Sequence, residues 1–281
     1  MLGKLFKHDM KATGRYVGLI FIATTIAAVL ATVLWSINNI WDNPIYKEIS
    51  TPFIISLWIT IGCIIFLGTS FVIYYHFFNT MVGEEGYLTH TLPVTIHQLL
   101  ISKLSTGVIY SIIKVVVLIL LIVLFLGITV LTNGELSFDD IRTGINAFFN
   151  SVSSDVGSIQ AGMILFEFGI VALVTSIQSI LMAFLAIALG QTAKSHKVLA
   201  SIGMYVLVNI AVQTITKIIA VAIIACATIS DNINAFEVWR ENHLSTYFHI
   251  INLTSIVIGL GISAIYYFIT KKIFEKKLNL E

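Results

Sequence analysis

Charge is scarce in this chain: Asp, Glu, Lys and Arg make up 11% of 281 positions, against 57% hydrophobic residues and a mean hydropathy of +0.95. A water-soluble fold of that composition would have almost no polar coat, which leaves an integral membrane protein. Other absences narrow the chemistry. No G-x-x-x-x-G-K-[ST] segment occurs, so the chain has no phosphate-cradling loop of its own. No G-x-S-x-G setting offers an activated serine, and the chain is not expected to be an enzyme. His8, His76, His90, His97, His196, His243 and His249 form neither H-E-x-x-H nor an acid-rich ligand cluster, so no metal centre is expected. Cysteine is reduced to Cys63 and Cys226, both inside apolar runs where a small buried thiol is the ordinary reading. The basic residues flank apolar runs and do not gather on one polar face, which argues against nucleic acid as a partner.

What is present is a set of six apolar runs, each long enough to cross a bilayer: residues 17–37, 53–77, 106–132, 161–189, 199–228 and 247–270. The expected fold is therefore an all-α integral membrane protein with six transmembrane helices, organised as one domain over 1–281 because no polar segment is long enough to fold alone. Ahead of the first run, Leu2, Leu5, Phe6 and Met10 fall along one helical stripe with Lys4, Lys7 and Lys11 off it. That pattern predicts a short amphipathic helix lying in the membrane interface. No small-residue cleavage site follows the first run, so it reads as a span and not as a signal peptide. Trp35, Trp41, Tyr46 and Trp58 fall near span ends, where amphipathic rings anchor at the interface.

Basic residues set the expected orientation. Lys4, Lys7, Lys11, Arg15, Lys103, Lys194, Lys197, Lys271, Lys272, Lys276 and Lys277 fall on one side of a six-span arrangement, while Lys47, Arg142 and Arg240 fall on the other. The positive-inside rule puts the first group, and with it both termini, in the cytoplasm.

On that side lies one long polar interruption, Thr80 to Lys103, TMVGEEGYLTHTLPVTIHQLLISK. Gly83 and Gly86 bracket Glu84 and Glu85, which permits a tight change of direction. Pro93 ends any helix begun at Tyr87 and biases Leu92 toward extended backbone. Thr95 followed three residues later by Gln98 has the spacing of a capping box, and Ile96, Leu99, Leu100 and Leu104 give the new helix an apolar side. A plain connector needs only about five residues, so this loop is expected to carry force or a binding signal, or else to be an ordered connector without a partner.

The order GEEGYLTHTLPVTIHQLLISKL after the second span resembles the loop of membrane subunits of bacterial ATP-binding-cassette exporters of the second permease class, the type paired with a separate ATPase. The resemblance in layout covers the chain, and the motif covers about 25 residues. It implies that Glu84, Glu85, Gly86 and Tyr87 form the acidic-glycine-aromatic part of a coupling loop, with Thr91, Leu92 and Pro93 at its elbow. Thr95, Gln98 and Lys103 then mark the start and end of the helix leading to the third span. It further implies a permease subunit in a bacterial cell membrane, with two copies of a cytoplasmic ATPase and a second, identical or homologous membrane subunit as partners. ATP and magnesium would sit on the ATPase, so no cofactor is expected on this chain. The cargo would be hydrophobic or amphipathic, such as a lipid-like molecule or an antimicrobial peptide. An ATP-independent carrier or channel, or a non-translocating anchor or sensor subunit, stands as the alternative.

Polar residues inside the runs complete the candidates. Glu167 and Lys217 are placed for an ion pair between spans, for the substrate path, or for separate snorkelling. Lys114 is expected to snorkel back to the headgroups. Gln178, Asn209 and Gln213 suit hydrogen bonds between helices, and Thr24, Thr25 and Thr32 can satisfy their hydroxyls on their own helix.

Overall fold

The computed structural model describes residues 2–40, 44–83, 85–86, 91, 93–133, 139–140, 142–147, 150, 158–193, 196–229 and 243–276. These residues are helical, with no strand among them. In chain order they form α1 (Leu2–Ile40), α2 (Pro44–Cys63), a π-helical turn (Ile64–Gly68), α3 (Thr69–Met81), α4 (Ile96–Asn133), α5 (Ser158–Gly190), α6 (Lys197–Ile229) and α7 (Leu244–Lys276). Among the described residues six helical stretches are long and apolar enough to cross a membrane, the second running through α2, the wide turn and α3. The six expected spans all fall inside the helices α1, α2 through α3, α4, α5, α6 and α7.

The chain divides into two compact units, Met1–Ala147 and Phe148–Glu281. In the first, α1 packs along α4, α2 and α3. Ala28 and Ala31 of α1 meet Ile61, Ile65 and Leu121, small residues letting the helices approach closely where dispersion rather than water expulsion must hold them. Trp35 and Trp58 both present edge-on contacts to Phe125, with centroids 5.9 and 4.9 Å apart, so these rings pack within the unit and do not only anchor an interface. In the second unit α5 packs against both α6 and α7.

Two features depart from expectation. The N-terminal segment is not a separate interface helix. α1 runs continuously for 39 residues, roughly 58 Å, because the buried face of its first turns is held by α3 and α4. The thiol of Cys63 is exposed on the first unit rather than buried, a position with lipid as its natural surroundings. The threonines behave as their chemistry requires: Thr24, Thr25 and Thr32 donate to the carbonyls of Ile20, Phe21 and Ala28, at 2.7, 2.7 and 2.6 Å.

Gly259 marks a close α5–α7 approach, since a Cβ there would lie 2.6 Å from Val174 Cγ1, whereas at Gly261 it would meet open space. Gly259→Val is expected to cost about 1–3 kcal/mol by overpacking, with Gly261→Val near neutral. Denaturant unfolding of the two variants in detergent checks the difference.

Candidate functional site

The expected loop contains two local structures that its sequence encodes. Gly83 donates its N–H to the Phe78 carbonyl at 2.9 Å and Gly86 donates to the Gly83 carbonyl at 2.8 Å, closing a tight turn after α3. A Cβ on Gly83 would lie 2.9 Å from the Asn79 carbonyl oxygen and one on Gly86 3.0 Å from the Met81 carbonyl, so both positions need glycine. At the far end, Thr95 and Gln98 form a reciprocal capping box. The Gln98 N–H donates to Thr95 Oγ1 at 3.3 Å, and the Thr95 N–H donates to Gln98 Oε1 at 3.2 Å. Glu85, Thr91 and Pro93 are exposed between these two structures. Glu84, Tyr87 and Leu92 lie outside the described residues.

The capped helix does not stand alone. On α4, Leu99, Ser102, Lys103, Thr106, Tyr110 and Lys114 follow one another at helical spacing, and all are buried. That stripe meets Asp9 of α1. Ser102 Oγ donates to Asp9 Oδ2 at 2.6 Å, Lys103 Nζ donates to Oδ1 at 3.3 Å, and His76 Nε2 of α3 lies 3.3 Å from Oδ1. A further tie comes from Tyr110, whose hydroxyl donates to the Met10 carbonyl at 2.7 Å beside Gly14. The side chains of Asp9 and Lys103 are 4% and 3% exposed, so this is an ion pair removed from water. Such a pair gains little net stability over apolar packing, but it strongly penalises any arrangement that separates its members. It therefore fixes the register of α1, α3 and α4 at the point where the loop enters the membrane helices.

Lys114 does not reach back toward the basic end as expected. Its ammonium bonds Ser70 Oγ at 3.4 Å and lies 4.1 Å from the centre of the Phe66 ring. Phe66 belongs to the π-helical turn, and Ser70 donates back to its carbonyl at 2.8 Å.

In the second unit, Glu167 takes its partners from α7, and of the alternatives left open for it the pair with Lys217 is not formed. Its carboxylate lies 2.7 Å from His249 Nδ1 and accepts from Asn252 Nδ2 at 3.2 Å, both residues on α7. Lys217 is exposed on α6, and the Glu167–Lys217 ion pair does not form. The reason is periodicity: His249 and Asn252 stand three apart and so share the α7 face that packs on α5, where two donors can serve both carboxylate oxygens. Beside Glu167 opens a cleft of about 590 Å³ lined by Gly162, Met163, Phe166, Ile170, Leu253 and Ile256. Gln213 donates to Asn209 within α6 rather than between helices, while Gln178 faces α7 beside Gly259.

Sequence reasoning thus missed Asp9, His76, Ser102, His249 and Asn252. Asp9 carried a signal, being the lone acid in a basic segment, and His249 and Asn252 carried one in their spacing within an apolar run.

Six membrane-length helices with buried polar clusters define a multi-pass helical membrane protein. Compared with protein-family models, curated proteins and solved structures, the chain matches none.

Asp9→Asn leaves the Lys103 ammonium buried without its counterion and should destabilise by about 3–5 kcal/mol, whereas the double variant Asp9→Leu/Lys103→Met should recover most of the loss. A double-mutant cycle by denaturant unfolding in detergent reads this directly. Under the same assay His249→Ala should add little to Glu167→Gln, and Lys217→Met should be silent.

Proposed function

We propose that this chain is the permease subunit of an ATP-driven exporter. A separate cytoplasmic ATPase, in two copies, would dock on the 80–103 loop and drive alternating access of this chain and a second membrane subunit. The cargo would be hydrophobic or amphipathic, of the lipid-like or antimicrobial-peptide class.

The observation that carries this reading is the connection of the capped loop helix to three membrane helices. The Thr95–Gln98 box fixes where α4 begins, and Ser102 and Lys103, on the next turns, bind Asp9. His76 brings in the end of α3. A push on the loop is then passed to α1, α3 and α4 together, which a passive connector has no need to do. The acidic-glycine-aromatic and Thr-Leu-Pro order of the loop, and the basic residues gathered on its side of the spans, support the same reading.

One observation favours an ATP-independent carrier instead. An ionisable side chain buried within a span marks the solute path in such carriers, and here Lys114 is buried against the Ile64–Gly68 turn.

Gentle purification separates the two readings. Under the exporter reading an ATPase co-purifies, and its ATP hydrolysis changes when this chain is present. Thr95→Ala/Gln98→Ala, which loosens the helix start by about 1–2 kcal/mol, should weaken that retention and leave hydrolysis by the isolated ATPase unchanged. Retention of no ATPase, with solute movement in ATP-free vesicles, would overturn the exporter reading in favour of the carrier.

A further inference from the structure

Beside the buried Asp9 network, α1 and α3 leave a cleft of about 670 Å³, lined by His8, Lys11, Ala12, Arg15 and Tyr16 on one side and by Phe71, Val72, Tyr75, His76, Asn79 and Glu85 on the other. We infer that this cleft binds the headgroup of an anionic phospholipid.

The charge is the first ground. His8, Lys11 and Arg15 fall on one stripe of α1 at helical spacing, and all three are exposed. Neither Lys11 nor Arg15 is ion-paired among the described residues, so both cations are available to a ligand. Glu85 is the one carboxylate among the lining residues, and the two permanent cations outnumber it. His8, Asn79 and the tyrosines add hydrogen-bonding groups around the same space. A phosphate oxygen would find both charge and donors there.

What lies next to the cleft selects a lipid over a free phosphate. The α1 stripe that carries His8, Lys11 and Arg15 continues as Leu19 and Ile22, which are 62% and 61% exposed. On the facing side, Phe71 and Tyr75 stack with centroids 6.2 Å apart, and Leu67 follows Phe71 toward the wide turn, 64% exposed. The side chain of Ile20 lies against Gly68, so the two helices stay adjacent beyond the cleft. Cations and aromatic rings at one end and a bare apolar strip leading away from it match a headgroup followed by acyl chains. Because His76 both lines the cleft and contacts Asp9, a bound headgroup would sit directly against the ion-pair network.

The test is native mass spectrometry of the purified full chain in detergent with added dioleoyl phosphatidylglycerol or dioleoyl phosphatidylcholine. Phosphatidylglycerol should be retained more tightly than phosphatidylcholine. Lys11→Gln/Arg15→Gln should weaken phosphatidylglycerol by about tenfold or more, since each cation near an anionic lipid is worth about fivefold. Asn79→Glu, which adds a carboxylate without removing either cation, should weaken it as well, so the outcome does not depend on one variant folding. Lys271→Gln/Lys272→Gln, a basic pair on α7, should leave it unchanged. Equal loss from both basic pairs would reduce the effect to diffuse attraction and overturn the site. Equal retention of phosphatidylcholine would also overturn it. Displacement of the lipid by millimolar inorganic phosphate would make free phosphate the ligand and sink the lipid assignment.

Discussion

A carboxylate taken out of water must be given donors, and the first unit is arranged around that requirement at Asp9. Its two oxygens engage Ser102, Lys103 and His76, so three helices far apart in sequence are committed to one relative position. Apolar contacts along α1 are non-directional and would tolerate a helix sliding by a turn or rotating by a residue. The ion pair does not, because any slip leaves a charge unpaired in a low-dielectric surround. Its contribution is therefore specificity of register more than net stability. It also explains why the basic N-terminal segment continues the first membrane helix instead of bending to lie flat. Folding over would pull Asp9 away from its partners.

Elsewhere in the two units, polar groups are handled by cheaper devices. Thr24, Thr32, Ser36 and Thr270 return their hydroxyls to the preceding turn of their own helix, which neutralises them without a tertiary partner. Lys114 rests on an aromatic face and a serine hydroxyl, the aromatic ring offering negative potential where no carboxylate among the described residues pairs with it. Glu167 shares its charge between an imidazole and an amide at the edge of an apolar cleft, partly open to its surroundings. The contrast with Asp9 is one of access. The Asp9 carboxylate is sealed behind His76 and fixes geometry, whereas the Glu167 carboxylate itself lines a space large enough to admit a ligand.

Legibility from sequence followed the range of the interaction. The six spans were legible because hydropathy over a bilayer's length is a local property, and the Thr95–Gln98 cap because both partners lie within one turn. The tight turn at Gly83 and Gly86 was legible for the same reason. Asp9 meeting Lys103 was not, since nothing in either local sequence specifies a partner more than ninety residues away. Of the alternatives open for Glu167 and Lys217, the ion pair is the one the fold does not form. Matching depth and opposite charge are necessary for an ion pair, but the face each residue occupies decides whether it forms. His249 and Asn252 occupied the right face. Continuity of α1 was likewise invisible to a stripe of apolar residues, because an amphipathic segment suits a protein surface as well as a lipid one.

The buried stripe of α4 links these parts mechanically. From the cap at Thr95 the helix continues unbroken through Lys103 and Tyr110 to Lys114, about 27 Å from its first turn by helical rise. A helix held by backbone hydrogen bonds throughout transmits a displacement along its axis with little loss, so whatever moves the loop also moves Lys114. Opposite Lys114 the neighbouring span is not a regular α-helix but the π-helical turn at Ile64–Gly68, a form that recurs at functional sites. An unbroken α-helix therefore faces a change of helical form, with Lys114, Phe66 and Ser70 as the contact between them.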